Sequence, residues 1–117
     1  MEKPKVLIIE DQKRAHLEYE YGLRNLVQIL SAFTIEEGRK IYKENPDLWL
    51  IVMDACVPGG DPNTLDLTRE IRKSFIGRPM IAASMSEKFQ DLLIEAGCDH
   101  KADKSQVVDK IKELLKL

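Results

Sequence analysis

Only two cysteines, Cys56 and Cys98, occur among the 117 residues. They are too few for a disulfide scaffold and lack the CxxC spacing of a zinc or redox centre. Both read as small apolar residues of a reducing compartment. Long hydrophobic runs are missing as well. The longest, residues 48–53, lies between Asp47 and Asp54 and falls well short of the ~18 residues a membrane span requires. The first, residues 6–9, is flanked by charge and is too short for a signal-peptide core. Neither sign of charge is in surplus: 18 Lys and Arg face 20 Asp and Glu, a formal net charge of -2. The basic footprint of a nucleic-acid or anionic-membrane binder is therefore absent. With 44% hydrophobic and 32% charged residues, the chain is too apolar for a disordered polymer. No linker, composition shift or low-complexity stretch divides it, and its length suits one domain spanning residues 1–117. The expectation is a single cytoplasmic domain.

What the sequence does contain is a regular change of apolar period. Short runs at residues 5–9, 27–33, 48–53, 79–84 and 98–102 read as strands, the second with a fuzzy start and the fifth weaker, while 48–53 is apolar throughout, as a strand buried on both faces should be. Between them the spacing becomes three to four. His16, Tyr19, Leu23, Leu26 and Val27 share one helical stripe over residues 12–27. Thr34 and Glu37 have the spacing of a capping box, and Pro46 sets the end of the helix they open. Leu65, Thr68, Ile71 and Phe75 form a third stripe. Phe89, Leu92, Leu93 and Ala96 form a fourth, with Ser86 placed to cap its start and Gly97 its end. Val107, Val108, Ile111, Leu114 and Leu115 complete a last helix, capped by Asp103 or Ser105. Strict βα alternation over five units predicts an α/β fold. It is a doubly wound, flavodoxin-like (βα)5 three-layer sandwich with a parallel sheet in the order 2-1-3-4-5.

In such a sheet the strand carboxyl ends at the centre form the ligand crevice. Glu10 and Asp11 follow the first strand and Asp54 the third, while Ser84 closes the fourth and Lys104 lies just beyond the fifth. Three carboxylates at one place repel unless cations neutralise them. Mg²⁺ suits one or two carboxylates with water and a phosphoryl oxygen. Asp54, held at a strand end, has the placement of a nucleophile able to form an aspartyl-phosphate. Lys104 and the Ser84 hydroxyl are then placed to stabilise phosphoryl oxygens.

With these residues in view, essentially the whole chain resembles the receiver domains of two-component response regulators, the CheY-like domains. Ile8-Ile9-Glu10-Asp11 is similar to the family's acid pair, and Asp54 with Pro58 four residues later to its phosphoacceptor motif. Residues 79–84 resemble the switch strand ending in Ser or Thr, and Ala96-Gly97-Cys98-Asp99 followed by Lys104 resemble the final motif. The resemblance implies a Mg²⁺ site made by Glu10, Asp11, Asp54 and the backbone carbonyl of Cys56. It also implies phosphotransfer to Asp54 from a histidine kinase or histidine phosphotransfer protein. A phosphorylated receiver would act on an output protein or an effector domain elsewhere in a longer chain, with homodimerisation left open. It implies a phosphoacceptor, not a turnover enzyme.

Four positions depart from the family pattern. Ser105 stands where a proline usually follows the lysine, which puts the local backbone in question. Met85 replaces the small residue after the switch hydroxyl, and either crowds the phosphoryl group or leans away. Lys101 replaces an aromatic switch residue and is expected to keep its charge in water. Pro62 replaces a glycine in the turn-rich stretch 58–63, whose Gly59-Gly60 pair reads as turn chemistry. These changes keep a second reading open, a pseudo-receiver that docks a protein partner without phosphorylation. A phosphohydrolase would carry a second aspartate two residues after the nucleophile, where this chain has Cys56. Flavin or nucleotide binding is disfavoured because the first loop is acidic. His16 and His100 lack partners at metal spacing and read as structural. Lys110, Lys112 and Lys116 read as a solvated helix face, which in the family often belongs to a docking surface.

Overall fold

Five parallel strands, β1 (Lys5–Ile9), β2 (Gln28–Ala32), β3 (Leu48–Asp54), β4 (Met80–Ala83) and β5 (His100–Ala102), form one sheet in the order β2-β1-β3-β4-β5. The computed structural model describes residues 2–117. Helices α1 (Lys13–Gly22), α2 (Ile35–Glu44), α3 (Leu65–Arg72), α4 (Glu87–Ala96) and α5 (Val107–Leu115) alternate with the strands. The expected fold and strand order are what is found.

Alternation along the central strands divides the core in two. Val6 and Ile8 of β1, with Leu50 and Val52 of β3, pack with Tyr19 and Leu23 near α1 and with Val107 and Ile111 of α5. Leu7, Ile9, Ile51 and Met53 point the other way, into a layer with Leu67 and Ile71 of α3 and Leu93 of α4. Neighbouring residues of one strand thus serve opposite layers, which is why these runs show no polar alternation. The packing is close at Gly38 of α2, where an added Cβ would lie 2.9 Å from Ile9 Cδ1. Among the described residues no helix is long and apolar enough to cross a membrane.

Caps fall close to their sequence signals. The Thr34 hydroxyl accepts from the Glu37 N–H at 3.0 Å, and the Glu37 carboxylate reaches back to the Phe33 N–H at 2.7 Å. Ser86 accepts from the Phe89 N–H at 3.3 Å, and Gly97 ends α4 at φ 139. At the last helix Asp103 is the residue before the first turn, its N–H donating to Gln106 Oε1 at 3.4 Å. Lys104–Gln106 form a 3-10 turn that leads into α5.

The differences are local. α1 stops at Gly22 rather than running to Val27, and Asn25 then takes a left-handed φ of 69. Leu23 and Val27 are buried from the connecting turn, whereas Leu26 is exposed. β5 begins at His100 and not at Cys98, because the Cys98 N–H turns back to Leu93 O to close α4. Phe75 lies past the end of α3 but stays in the core, its N–H bonded to Ile71 O at 2.9 Å. Cys56 and Cys98 are free thiols, half-buried and buried.

Ile51, fully buried on β3, tests this placement. Ile51→Ala is expected to lower unfolding free energy by about 3 kcal/mol through lost transfer energy and a residual cavity. Urea denaturation should show a lower midpoint at unchanged slope. A loss below ~1 kcal/mol would contradict a tightly packed site there.

Candidate functional site

Glu10 and Asp54 leave the ends of β1 and β3, neighbouring strands at the middle of the sheet, and both are nearly withdrawn from water. With Asp11 they bring carboxylate oxygens within 4.8 Å of one another. Lys104, from the turn after β5, sets its Nζ 2.9 Å from Glu10 Oε1 and 3.3 Å from Asp54 Oδ2. Four of the residues named from the sequence are thus assembled at one sheet edge. When all three carboxylates are ionised, the single ammonium leaves the cluster two charges negative, the deficit a divalent cation removes.

Asp54 is held by more than its strand. The buried Thr64 hydroxyl donates to Asp54 O at 2.7 Å and lies 3.2 Å from Ala55 O. Asn63 clasps Val57, accepting from its N–H at 2.7 Å and donating to its carbonyl at 2.9 Å. The Asn63 N–H donates to Ala55 O. The carbonyls of residues 54, 55 and 57 are therefore engaged, whereas that of Cys56 receives no hydrogen bond among the described residues. The Cys56 N–H lies 3.4 Å from Asp54 Oδ1. The Cys56 carbonyl, with the carboxylates of Glu10, Asp11 and Asp54, makes an all-oxygen donor set, the chemistry that Mg²⁺ or Ca²⁺ requires. The Val57–Pro58 peptide is cis.

The acid loop is supported from beneath. His16, buried on α1, places Nε2 2.6 Å from Glu10 O, while its ring rests on Phe33 with centroids 4.3 Å apart. The Gln12 N–H donates to Glu10 Oε2 at 3.1 Å. His16 is structural, as expected, but its contact fixes the backbone of an acid-pair residue.

These surroundings separate the carboxyl groups electrostatically. Burial raises the Asp54 pKa to about 7, with the Glu10 carboxylate adding to the rise and Lys104 opposing it. Burial also works against the charge of Glu10, but bonds from Lys104 and with Asp54 and Asp11 outweigh it and the pKa falls. Asp11 is raised by partial burial and by Glu10. Burial disfavours the Lys104 ammonium, yet Glu10 and Asp54 hold its pKa above the usual value.

Ser84 follows Ala83, the β4 residue paired with Asp54, and so lies one position beyond the neighbour of Asp54. It is buried, and its Oγ accepts from the Ser86 N–H at 3.1 Å. Met85 is exposed. Lys101 keeps its charge in water and pairs with Asp91 of α4. The peptide after Lys104 is trans, as serine in place of proline allows. Asn63, Thr64 and Gln90 were not singled out from the sequence, because their importance lies in backbone partners that no side-chain pattern announces.

No protein-family model matches the chain, and no curated protein matches it. Solved structures match over 97% of its length. A CheY-like response regulator receiver domain protein from Methanospirillum hungatei is 21% identical, covered over 94% of its chain, with a TM-score of 0.78. A two-component response regulator from Clostridium difficile is also 21% identical, covered over 97%, with a TM-score of 0.80. A response regulator from Burkholderia pseudomallei, containing a phosphorylated aspartic acid, a calcium ion and citrate, is 17% identical, covered over 66%, with a TM-score of 0.80. The chain has the fold of CheY-like response regulator receiver domains.

The raised pKa of Asp54 makes a signed prediction for the metal-free protein. The folded state binds this proton more tightly than the unfolded chain, whose aspartate titrates at 3.8. The associated stability is present below that value and is lost as pH rises through about 7. Asp54→Asn should therefore be more stable than the parent by about 4 kcal/mol at pH 8 and nearly equal to it at pH 4. Thermal unfolding at the two pH values checks this, and an advantage independent of pH would contradict it.

Proposed function

We propose that the protein is a phosphoacceptor receiver domain of a two-component or phosphorelay system, in which Asp54 accepts a phosphoryl group with the help of Mg²⁺. The observation that supports this most is the meeting of Asp54 with Glu10, Asp11 and the Lys104 ammonium at the sheet's carboxyl edge. The donor is the phosphohistidine of a histidine kinase or of a histidine phosphotransfer protein, in the cytoplasm.

In the transfer an ionised Asp54 oxygen forms the new P–O bond as the P–N bond of phosphohistidine breaks and the electron pair leaves with the imidazole. Glu10, Asp11, Asp54 and the Cys56 carbonyl would hold Mg²⁺, which supplies charge neutralisation for the carboxylates and the phosphoryl oxygens. Lys104, already within reach of Asp54, offers a second positive charge to the transferred group. Ser84 offers a hydroxyl from the adjacent strand end. Burial of Asp54 keeps its carboxyl close to neutral pH, so the cation also favours the ionised nucleophile. The chain carries the phosphoryl group and does not turn over substrate. The modified state is read by an output protein or by an effector domain.

Intact mass after incubation with acetyl phosphate tests the reading. One phosphoryl increment is expected with Mg²⁺, none with a chelator, and none for Asp54→Asn. Lys104→Met should slow the increment by about 100-fold, the effect of removing one electrostatic stabiliser. If the parent protein shows no increment with saturating Mg²⁺ and does not respond to beryllofluoride by NMR, the phosphoacceptor reading fails and the docking-only pseudo-receiver replaces it.

A further inference from the structure

Gln90 lies on the inward face of α4, beside Leu93, and is only 6% exposed. A polar side chain there is costly unless its groups are paired. Its Nε2 lies 2.7 Å from Ser84 O and 3.0 Å from Asp103 Oδ1. Both are acceptors, so the amide end facing them is the NH₂ group, and its two hydrogens serve two different loops. One loop carries Ser84, the other leads into Lys104.

The surrounding bonds make this a closed arrangement. The Gln90 N–H donates to Ser86 O at 3.0 Å, and the Ser86 N–H donates to Ser84 Oγ at 3.1 Å. The Ser84 N–H donates to Ala102 O at 3.2 Å, joining the strand ends from which both loops depart. On the other side Asp103 opens the Lys104–Gln106 turn and receives one Gln90 hydrogen, while Lys104 reaches Glu10 and Asp54. With a trans peptide and serine at position 105, no proline stiffens this turn.

We propose that Gln90 is a positioning residue, holding the Ser84 and Lys104 loops at a fixed separation so that both side chains address one phosphoryl group on Asp54. The inference rests on the phosphoacceptor reading of Asp54. Gln90 touches neither Asp54 nor the acid pair, and acts through Ser84 O and Asp103 only. Misplacing such groups by about 1 Å can cost on the order of 100-fold in rate, so even partial loosening is measurable.

Two substitutions test it, with acetyl phosphate as donor and intact mass as readout. Gln90→Glu turns a carboxylate toward two acceptors, and Gln90→Met keeps the shape without the donors. Each should lower the limiting rate at saturating acetyl phosphate by roughly 10-fold. The apparent Mg²⁺ affinity should change by less than about twofold, since the acidic donor set is untouched. Gln90→Met supports the comparison if Gln90→Glu fails to fold, as circular dichroism would show. A folded Gln90→Met with the parent's rate overturns the inference while the phosphoacceptor reading stands. Equal losses in rate and Mg²⁺ affinity also overturn it, because they mark general loosening of the domain. Failure of the parent protein itself to take the phosphoryl group overturns the phosphoacceptor reading and the inference with it.

Discussion

Two carboxylates, those of Glu10 and Asp54, are withdrawn from water at the ends of adjacent strands, and the ammonium of Lys104 is set against both. Burying like charges together is unfavourable, and one cation does not neutralise them with Asp11 alongside. The cost is carried by the rest of the domain. The apolar run of β3 fixes Asp54 at its end, β1 fixes Glu10, and β5 delivers Lys104 from across β4. The strand order β2-β1-β3-β4-β5 makes this meeting possible, because it puts the ends of β1 and β3 side by side.

The supporting bonds are mostly made to backbone. Thr64 and Asn63 hold the segment after Asp54, His16 holds the carbonyl of Glu10, and Gln90 spans the loops bearing Ser84 and Lys104. Such bonds fix main-chain position without adding charge at the crevice. The carboxylates therefore keep an unbalanced negative field of the kind that a hard divalent cation neutralises. Of the departures from the family pattern, Met85 is exposed and Lys101 pairs with Asp91 of α4.

Much of this was legible in the sequence, for identifiable reasons. Apolar runs buried on both faces, separated by helical stripes, leave few folds open, and polar residues immediately after those runs must lie at the sheet edge. Glu10, Asp11, Asp54, Ser84 and Lys104 could be placed there by counting alone. Helix ends were less legible. The stripe through Leu23 and Val27 continues past Gly22 because both residues are buried from a turn, so periodicity overran the helix. Likewise the fifth strand reads as starting at Cys98, although the Cys98 N–H belongs to the end of α4. Gln90 and Asn63 were illegible because an amide on a helix or in a turn looks solvated until its backbone partners are known. The exposure of Met85 also depended on tertiary structure alone.

The chemistry of the crevice depends on the balance of charge between Asp54 and its neighbours. It can be measured by following the side-chain carboxyl carbon of Asp54 through a pH titration by NMR, without metal and with saturating Mg²⁺. A midpoint at about 7 is expected in the metal-free protein, moved down by more than about one unit when the cation is present. An ordinary aspartate midpoint of about 4 that Mg²⁺ leaves unchanged would contradict it.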